Sequence, residues 1–174
     1  MDQRVDAVVG WEFTAKADIT VVSLGMWDSL GDGFSNQSTA DVGLWTTQGD
    51  LLASATVVGT DVLIDGFRYT DIAAVQLRGG ENYVVAGVFS DAGSGPSFNT
   101  FAFDVTITDN SPTDVVWVDS RASNALQLTF PTDFQNFNGF FGANFRFVDE
   151  PSVFALMLSG VCGLGVFVRR RRLV

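Results

Sequence analysis

The chain has 174 residues, of which 20 are acidic, 10 are basic, none is histidine and one is cysteine, and its formal net charge is −10. With no histidine, and with Cys162 inside an apolar run, the sequence excludes a disulfide framework, a thiolate or imidazole zinc site and catalysis by a Ser-His or Cys-His pair. All 20 acidic residues but only six of the basic ones lie at or before Glu150, so this part of the chain has a net charge of −14. Such acidity repels phosphate groups and argues against a nucleic-acid partner.

Strand-like segments fill the chain before residue 149. β-Branched and aromatic residues dominate, and apolar side chains recur at every second position, as in Phe101, Phe103, Val105 and Ile107. Ten strands are predicted, over residues 7–14, 19–27, 41–46, 51–58, 66–70, 82–89, 100–108, 115–118, 125–130 and 142–148. This many short strands separated by turns favours an all-β fold, a jelly-roll-like β-sandwich over residues 1–148.

Large apolar side chains on the early strands are interpreted as core. Trp11, Trp27 and Trp45 lie on three different predicted strands. Within the first strand Phe13 faces the same way as Trp11, whereas Glu12 faces the opposite way. Glu12 is therefore predicted to be solvated on a polar face, and not to be an acid catalyst.

Three aspartates flank the first long loop, residues 29–40. Asp28, Asp32 and Asp41 supply hard carboxylate oxygens, which are the ligands that calcium prefers. Their spacing matches no EF-hand. Two interpretations stay open, namely a calcium ion bound by these three residues and simple solvated loop carboxylates.

Residues 131–139 place two phenylalanines among polar residues. The faces of Phe134 and Phe137 could stack on a sugar ring while the amides of Asn136 and Asn138 bind its hydroxyls. Phenylalanine lacks the polar group that tyrosine and tryptophan keep at a half-exposed site. The favoured interpretation is therefore that these rings close one end of the core, with glycan binding as the alternative.

The C-terminal 26 residues have three parts. Asp149-Glu150-Pro151-Ser152 is followed by the uncharged apolar run 153–168 and then by Arg169, Arg170, Arg171 and Arg172. As a helix at about 1.5 Å per residue, the run is about 24 Å long, against a hydrocarbon core of about 30 Å. Snorkelling arginines can make up the difference. The positive-inside rule then predicts a single-pass membrane protein with residues 1–148 outside.

These three parts resemble the PEP-CTERM sorting signal of Gram-negative bacteria. The resemblance covers Glu150, Pro151, Ser152, the apolar run and the arginine cluster, while Asp149 stands where the first proline is expected. It implies recognition and cleavage near the motif by an exosortase-type membrane protease. It also implies release to the cell surface or into extracellular polymer.

Export of the domain needs a signal at the other end of the chain. Met1-Asp2-Gln3-Arg4 is not a secretory signal peptide, and strand-like sequence starts near Val5. We therefore expect a signal peptide to be encoded upstream of Met1.

Residues 9–88 also resemble a β-sandwich domain of unknown function found in bacterial surface proteins. The matching segments include GWEFT at 10–14, SLGMWD at 23–28, VGLW at 42–45 and GDLLA at 49–53. This resemblance brings no catalytic residues to the chain.

Three hypotheses for function follow. The first is an exported, non-catalytic surface or matrix protein that is associated with exopolysaccharide and has no cofactor. The second is a secreted carbohydrate-binding module, in one version calcium-dependent. The third and least favoured is a glycan-acting enzyme, which would need two carboxylates across a cleft.

Overall fold

The computed structural model describes residues 7–28, 31–34, 39–89, 115–135, 139 and 141–149. In this part of the chain it contains β-strands arranged in two antiparallel sheets and no helix, so the all-β prediction is confirmed. The predicted strand 100–108, Phe137 and the tail from Glu150 onward lie outside these residues. The jelly-roll connectivity stays a prediction, because residues 90–114, which link two of the strands, also lie outside the described residues.

The described residues form ten strands. They are β1 (Ala7–Ala15), β2 (Ile19–Trp27), β3 (Thr39–Thr46), β4 (Leu51–Val58), β5 (Val62–Ile64), β6 (Phe67–Leu77), β7 (Asn82–Phe89), β8 (Val115–Ser123), β9 (Asp133–Gln135) and β10 (Ala143–Asp149). One sheet has six strands in the order β4-β3-β7-β1-β8-β9, and the other has four in the order β10-β2-β6-β5. The first strand of the chain therefore lies in the middle of the larger sheet.

The core lies between the two sheets and is richest in aromatic rings around β1. Trp11 and Phe13 point inward, as their alternation predicts, and meet Phe145 of β10, whose ring centroid is 5.9 Å from that of Trp11 and 4.7 Å from that of Phe13. The Trp11 indole Nε1–H donates a hydrogen bond of 2.9 Å to the carbonyl oxygen of Ala143. This bond satisfies the buried indole and ties the larger sheet to the smaller one.

The outer face of the larger sheet is also covered. The predicted strand 125–130 is wrong, because this segment forms no strand. Three of its apolar residues, Ala125, Leu128 and Phe130, instead pack onto a second buried cluster, which consists of Val8, Trp45, Ala86 and Val88. A segment that lies on the surface of a sheet can have the same alternating apolar pattern as a strand. The pattern alone therefore could not distinguish the two.

Two further predictions need correction. Trp11 and Trp45 are buried, but Trp27 is only half-buried on the outer face of the smaller sheet, where it packs edge-on against Phe67. β6 and β8 are longer than predicted, and the three-residue strands β5 and β9 were not predicted. Three residues are too short for a period of two to be recognised.

Candidate functional site

A buried ion pair lies on the outer face of the larger sheet. Glu12 of β1 is 5 % exposed and Arg121 of β8 is 6 % exposed, although both point away from the core between the sheets. Arg121 Nε donates to Glu12 Oε2 at 3.0 Å, and its Nη2 donates to the same oxygen. The prediction of a solvated Glu12 is therefore wrong. The strand pattern gave its face correctly, but that face is covered.

The Glu12 carboxylate is satisfied from the other side as well. Asn82 of β7 donates from Nδ2 to Glu12 Oε1 at 2.8 Å, and the Thr14 hydroxyl donates to Asn82 Oδ1 at 2.8 Å. The polar network thus runs across three neighbouring strands. Its two charges are opposite and in contact, which is the arrangement that makes a buried charge tolerable.

Phe134 of β9 is stacked on this ion pair. The Arg121 guanidinium carbon lies 3.7 Å from the centroid of the Phe134 ring and 5.9 Å from that of Phe130. Phe134 nevertheless is 61 % exposed, so the favoured prediction that it closes the core is wrong. Phe141 has that role, since it packs against the core and its ring centroid lies 5.7 Å from that of Trp11.

The stack of Glu12, Arg121 and Phe134 has a definite chemistry. One face of the Phe134 ring lies on the guanidinium, a cation–π contact, and most of the ring is open to solvent. Glu12 balances the charge beneath the ring. The result is a firmly supported apolar ring with no net charge behind it, which suits stacking on a flat apolar surface.

A second ion pair, which is partly buried, organises the first long loop. Asp28, 3 % exposed, accepts from Arg68 Nε at 2.9 Å and from the backbone N–H groups of Gly31 and Gly33 at 3.0 and 2.9 Å. Arg68 also donates to the carbonyl oxygens of Asp61 and Gly31, at 2.9 and 2.6 Å. We call this group the Asp28–Arg68 clasp. Arg68 of β6 thus contacts two loops, the first long loop through Gly31 and the loop between β4 and β5 through Asp61. The clasp holds both loops against β6.

The pKa of Asp28 reflects the balance of forces in the clasp. Burial alone would raise the pKa of this carboxyl, but the hydrogen bonds and charge of Arg68 and the two glycine N–H donors outweigh burial. The pKa of Asp28 is lowered below its ordinary value of 3.8. Its carboxylate is therefore ionised at neutral pH and is committed to Arg68.

The three aspartates of the calcium prediction lie in different surroundings. Asp32 is exposed in the loop, and Asp41 on β3 is exposed and accepts a hydrogen bond of 2.7 Å from the Thr56 hydroxyl. Within the part of the chain that the structure describes, no group of three or more acidic, histidine or cysteine side chains could hold a metal ion. The calcium site stays a prediction, with Asp28 already bound to Arg68.

Sequence reasoning singled out Phe134 but missed Arg121, on which it stacks. One feature of the sequence could have pointed to Arg121, namely that it is one of only six basic residues in a strongly acidic segment. The strand of Arg121 holds one other charged residue, Asp119, and is otherwise apolar or small, so the buried guanidinium needs an acidic partner. Identifying that partner as Glu12 requires the pairing of β1 with β8, which links residues 109 positions apart.

The predicted sorting motif begins within a strand. β10 continues to Asp149, which is paired with Ile19 of β2. Among the described residues no helix is long and apolar enough to cross a membrane. The predicted span, residues 153–168, lies beyond them.

Comparison with known proteins places the domain in a family. The model of the domain of unknown function DUF4082 matches residues 1–141, which include the ion-paired stack and the Asp28–Arg68 clasp. Searches of curated proteins and of solved structures gave no significant match. The family match extends over most of the chain, and the chain therefore belongs to the DUF4082 family.

Proposed function

We propose that the protein is an exported, non-catalytic surface or extracellular-matrix protein that is sorted by a PEP-CTERM-like signal and associates with exopolysaccharide. The observation that carries this proposal is the order of motif 149–152, apolar run 153–168 and Arg169–Arg172 at the end of the chain. The apolar run 153–168 anchors the protein in the membrane until an exosortase-type protease cleaves near the motif. The domain then stays at the cell surface or enters the extracellular polymer.

The state of the buried carboxylates supports a non-catalytic role. Glu12 and Asp28 are the two buried acidic residues of the described chain, and each is held by an arginine in an ion pair. A carboxylate that acts as a general acid keeps a raised pKa and faces a cleft. Glu12 instead lies under a network of donors, and the pKa of Asp28 is lowered.

The mass of the mature protein tests the sorting proposal. The full chain, preceded by a cleavable secretory signal peptide, is expressed in a Gram-negative host that encodes an exosortase, and the C-terminus of the product is determined by mass spectrometry. We expect an end near Glu150, because β10 leaves only Glu150, Pro151 and Ser152 between the last strand and the apolar run. A host that lacks the protease, and a Pro151→Ala variant, serve as controls that should keep the tail. A wild-type product that still carries Arg169–Arg172 in the first host would contradict the proposal.

A second candidate function is glycan binding at Phe134. The observation that favours it is the 61 % exposure of a ring that is fixed in place by Arg121. Aromatic rings held in this way can stack on the apolar face of a sugar. The candidate is compatible with the first proposal, since it would tie the domain to exopolysaccharide.

The Phe134→Ala variant should weaken binding to a polysaccharide by about tenfold or more, the equivalent of about 1.4 kcal/mol of lost stacking. Affinity electrophoresis in gels containing single polysaccharides measures this change. Leu126→Ala is the matched control, because Leu126 is 67 % exposed on the segment preceding β9 but offers no ring. Wild-type protein that binds no polysaccharide, with or without calcium, would exclude this function.

A further inference from the structure

The outer face of the smaller sheet carries a row of three aromatic rings. Trp27 and Phe67 are paired across β2 and β6, and Tyr69 follows two residues later on the same face. The ring centroids of Trp27 and Phe67 are 5.0 Å apart, and those of Phe67 and Tyr69 are 6.1 Å apart. All three rings are only half-buried.

Two glycines allow the ends of this row to lie close to the sheet. A Cβ atom on Gly25 would overlap the Tyr69 ring, and one on Gly66 would overlap the Trp27 ring. The rings therefore rest directly on backbone, and part of each remains open to solvent. In the larger sheet the equivalent aromatic residue, Trp45, is instead buried under residues 125–130.

A recess adjoins the Tyr69 end of the row. It has a volume of about 440 Å³ and is lined by Tyr69, Val62, Asp71 and Arg146, among others. The Arg146 guanidinium carbon lies 5.8 Å from the Tyr69 ring centroid. The ion pairs between described residues are the two already named, so within this part of the chain Arg146 and Asp71 keep their charged groups free of ion pairs.

The protonation state of the Tyr69 hydroxyl affects how it can bind a ligand. Burial raises the pKa of Tyr69 to about 12, with a smaller opposing effect of the Arg146 charge. The phenol is protonated at neutral pH, as any tyrosine is, and can both donate and accept a hydrogen bond.

The charged and polar groups around the recess favour a neutral ligand over an acidic one. An acidic polymer would meet Asp71 and the net charge of −14 of the chain up to Glu150, both unfavourable. A neutral, hydroxyl-rich chain meets no such repulsion. It can place its apolar C–H faces on the three rings and its hydroxyls on Asp71, Arg146 and the Tyr69 phenol.

We propose that the row Trp27–Phe67–Tyr69 and its recess bind a neutral polysaccharide chain. This inference rests on the proposed association with exopolysaccharide and names the polymer class and the surface. The row lies on the smaller sheet and Phe134 lies on the outer side of the larger one, so the two surfaces face away from each other. A domain that uses both would cross-link two chains of the polymer and gain avidity from their linkage.

The test uses the full chain in detergent micelles with four soluble probes: dextran, a mannan, a mixed-linkage β-glucan and the acidic polymer alginate. Affinity electrophoresis measures binding, and turbidity measures cross-linking. We expect binding to at least one neutral probe, and a Tyr69→Ala variant that loses about tenfold or more of the affinity and most of the turbidity. Tyr69→Phe should keep most of both, since the ring remains.

Leu63→Ala is the matched control. Leu63 lies on β5 beside Val62, is 42 % exposed and points to the other face of the sheet, where it is paired with Arg68. Thermal unfolding of each variant shows whether the fold is retained. Unchanged binding and turbidity in folded Tyr69→Ala, or binding to alginate alone, would overturn the inference. Neither result affects the sorting proposal, which the C-terminal mass decides.

Discussion

Replacement of Arg121 by methionine should lower the free energy of unfolding by about 3–5 kcal/mol. The change leaves the Glu12 carboxylate 5 % exposed with Asn82 as its remaining side-chain donor, and it removes the support under Phe134. An uncompensated buried charge is among the most costly defects in a folded domain. Urea titration of tryptophan fluorescence measures the loss, since Trp11 and Trp45 are buried in the native state.

Two further variants separate the charge from the packing. The double variant Glu12→Gln with Arg121→Met should recover much of the loss, because it removes both charges together. Arg78→Met, at an exposed arginine, should change stability by no more than about 0.5 kcal/mol. If Arg121→Met costs less than about 1 kcal/mol, the ion pair does not have the structural role described above.

The second large effect is expected at the Asp28–Arg68 clasp. Asp28→Asn should cost about 3 kcal/mol at pH 7, because Arg68 loses its carboxylate partner and the first loop loses one of the two oxygens that accept from Gly31 and Gly33. The folded-state pKa of Asp28 is lowered, so the stability it contributes is fully present above the ordinary value of 3.8 and is lost as the pH falls through the folded-state pKa. The difference between wild type and variant should therefore shrink in acid. Urea midpoints at pH 7 and at about pH 2 measure it.

Asp32→Asn is the matched control for the clasp and tests calcium as well. Asp32 lies on the same loop but is exposed, so its replacement should leave both midpoints unchanged. Calcium that raises the Tm of the wild type, with the increase lost in Asp32→Asn, would establish this loop as a calcium site. A pH-independent difference between Asp28→Asn and wild type would contradict the linkage of stability to this carboxyl.

Much of the fold could be predicted because the strands alternate cleanly. β2, β4 and β7 have the predicted bounds, since each is bounded by turn residues and carries enough apolar positions to define a period. Residues 125–130 show the weakness of the same signal. Ala125, Leu128 and Phe130 do cover a sheet, but they pack on its surface and their segment pairs with no strand.

The candidate sites were less predictable, for a physical reason. Phe134 could be named from its polar neighbours, whereas its support by Arg121 depends on the register of β8 with β9. The burial of Glu12 depends on neighbours from β7 and β8 that are 70 and 109 residues away along the chain. Local sequence patterns do not encode which distant strands pair, so the burial and ion pairing of these residues can be seen only in the three-dimensional structure.

The hydrogen bond from Trp11 to Ala143 has a consequence for the order of folding. It joins residues 132 positions apart, and Phe145 completes the same cluster from the last strand. During synthesis, Trp11 therefore lacks its hydrogen-bond acceptor, and Trp11 and Phe13 lack the Phe145 ring, until almost the entire domain is available. We expect closure of the core to be a late, non-local event, and folding to be slow, on the order of milliseconds to seconds, as for other sandwiches of high contact order.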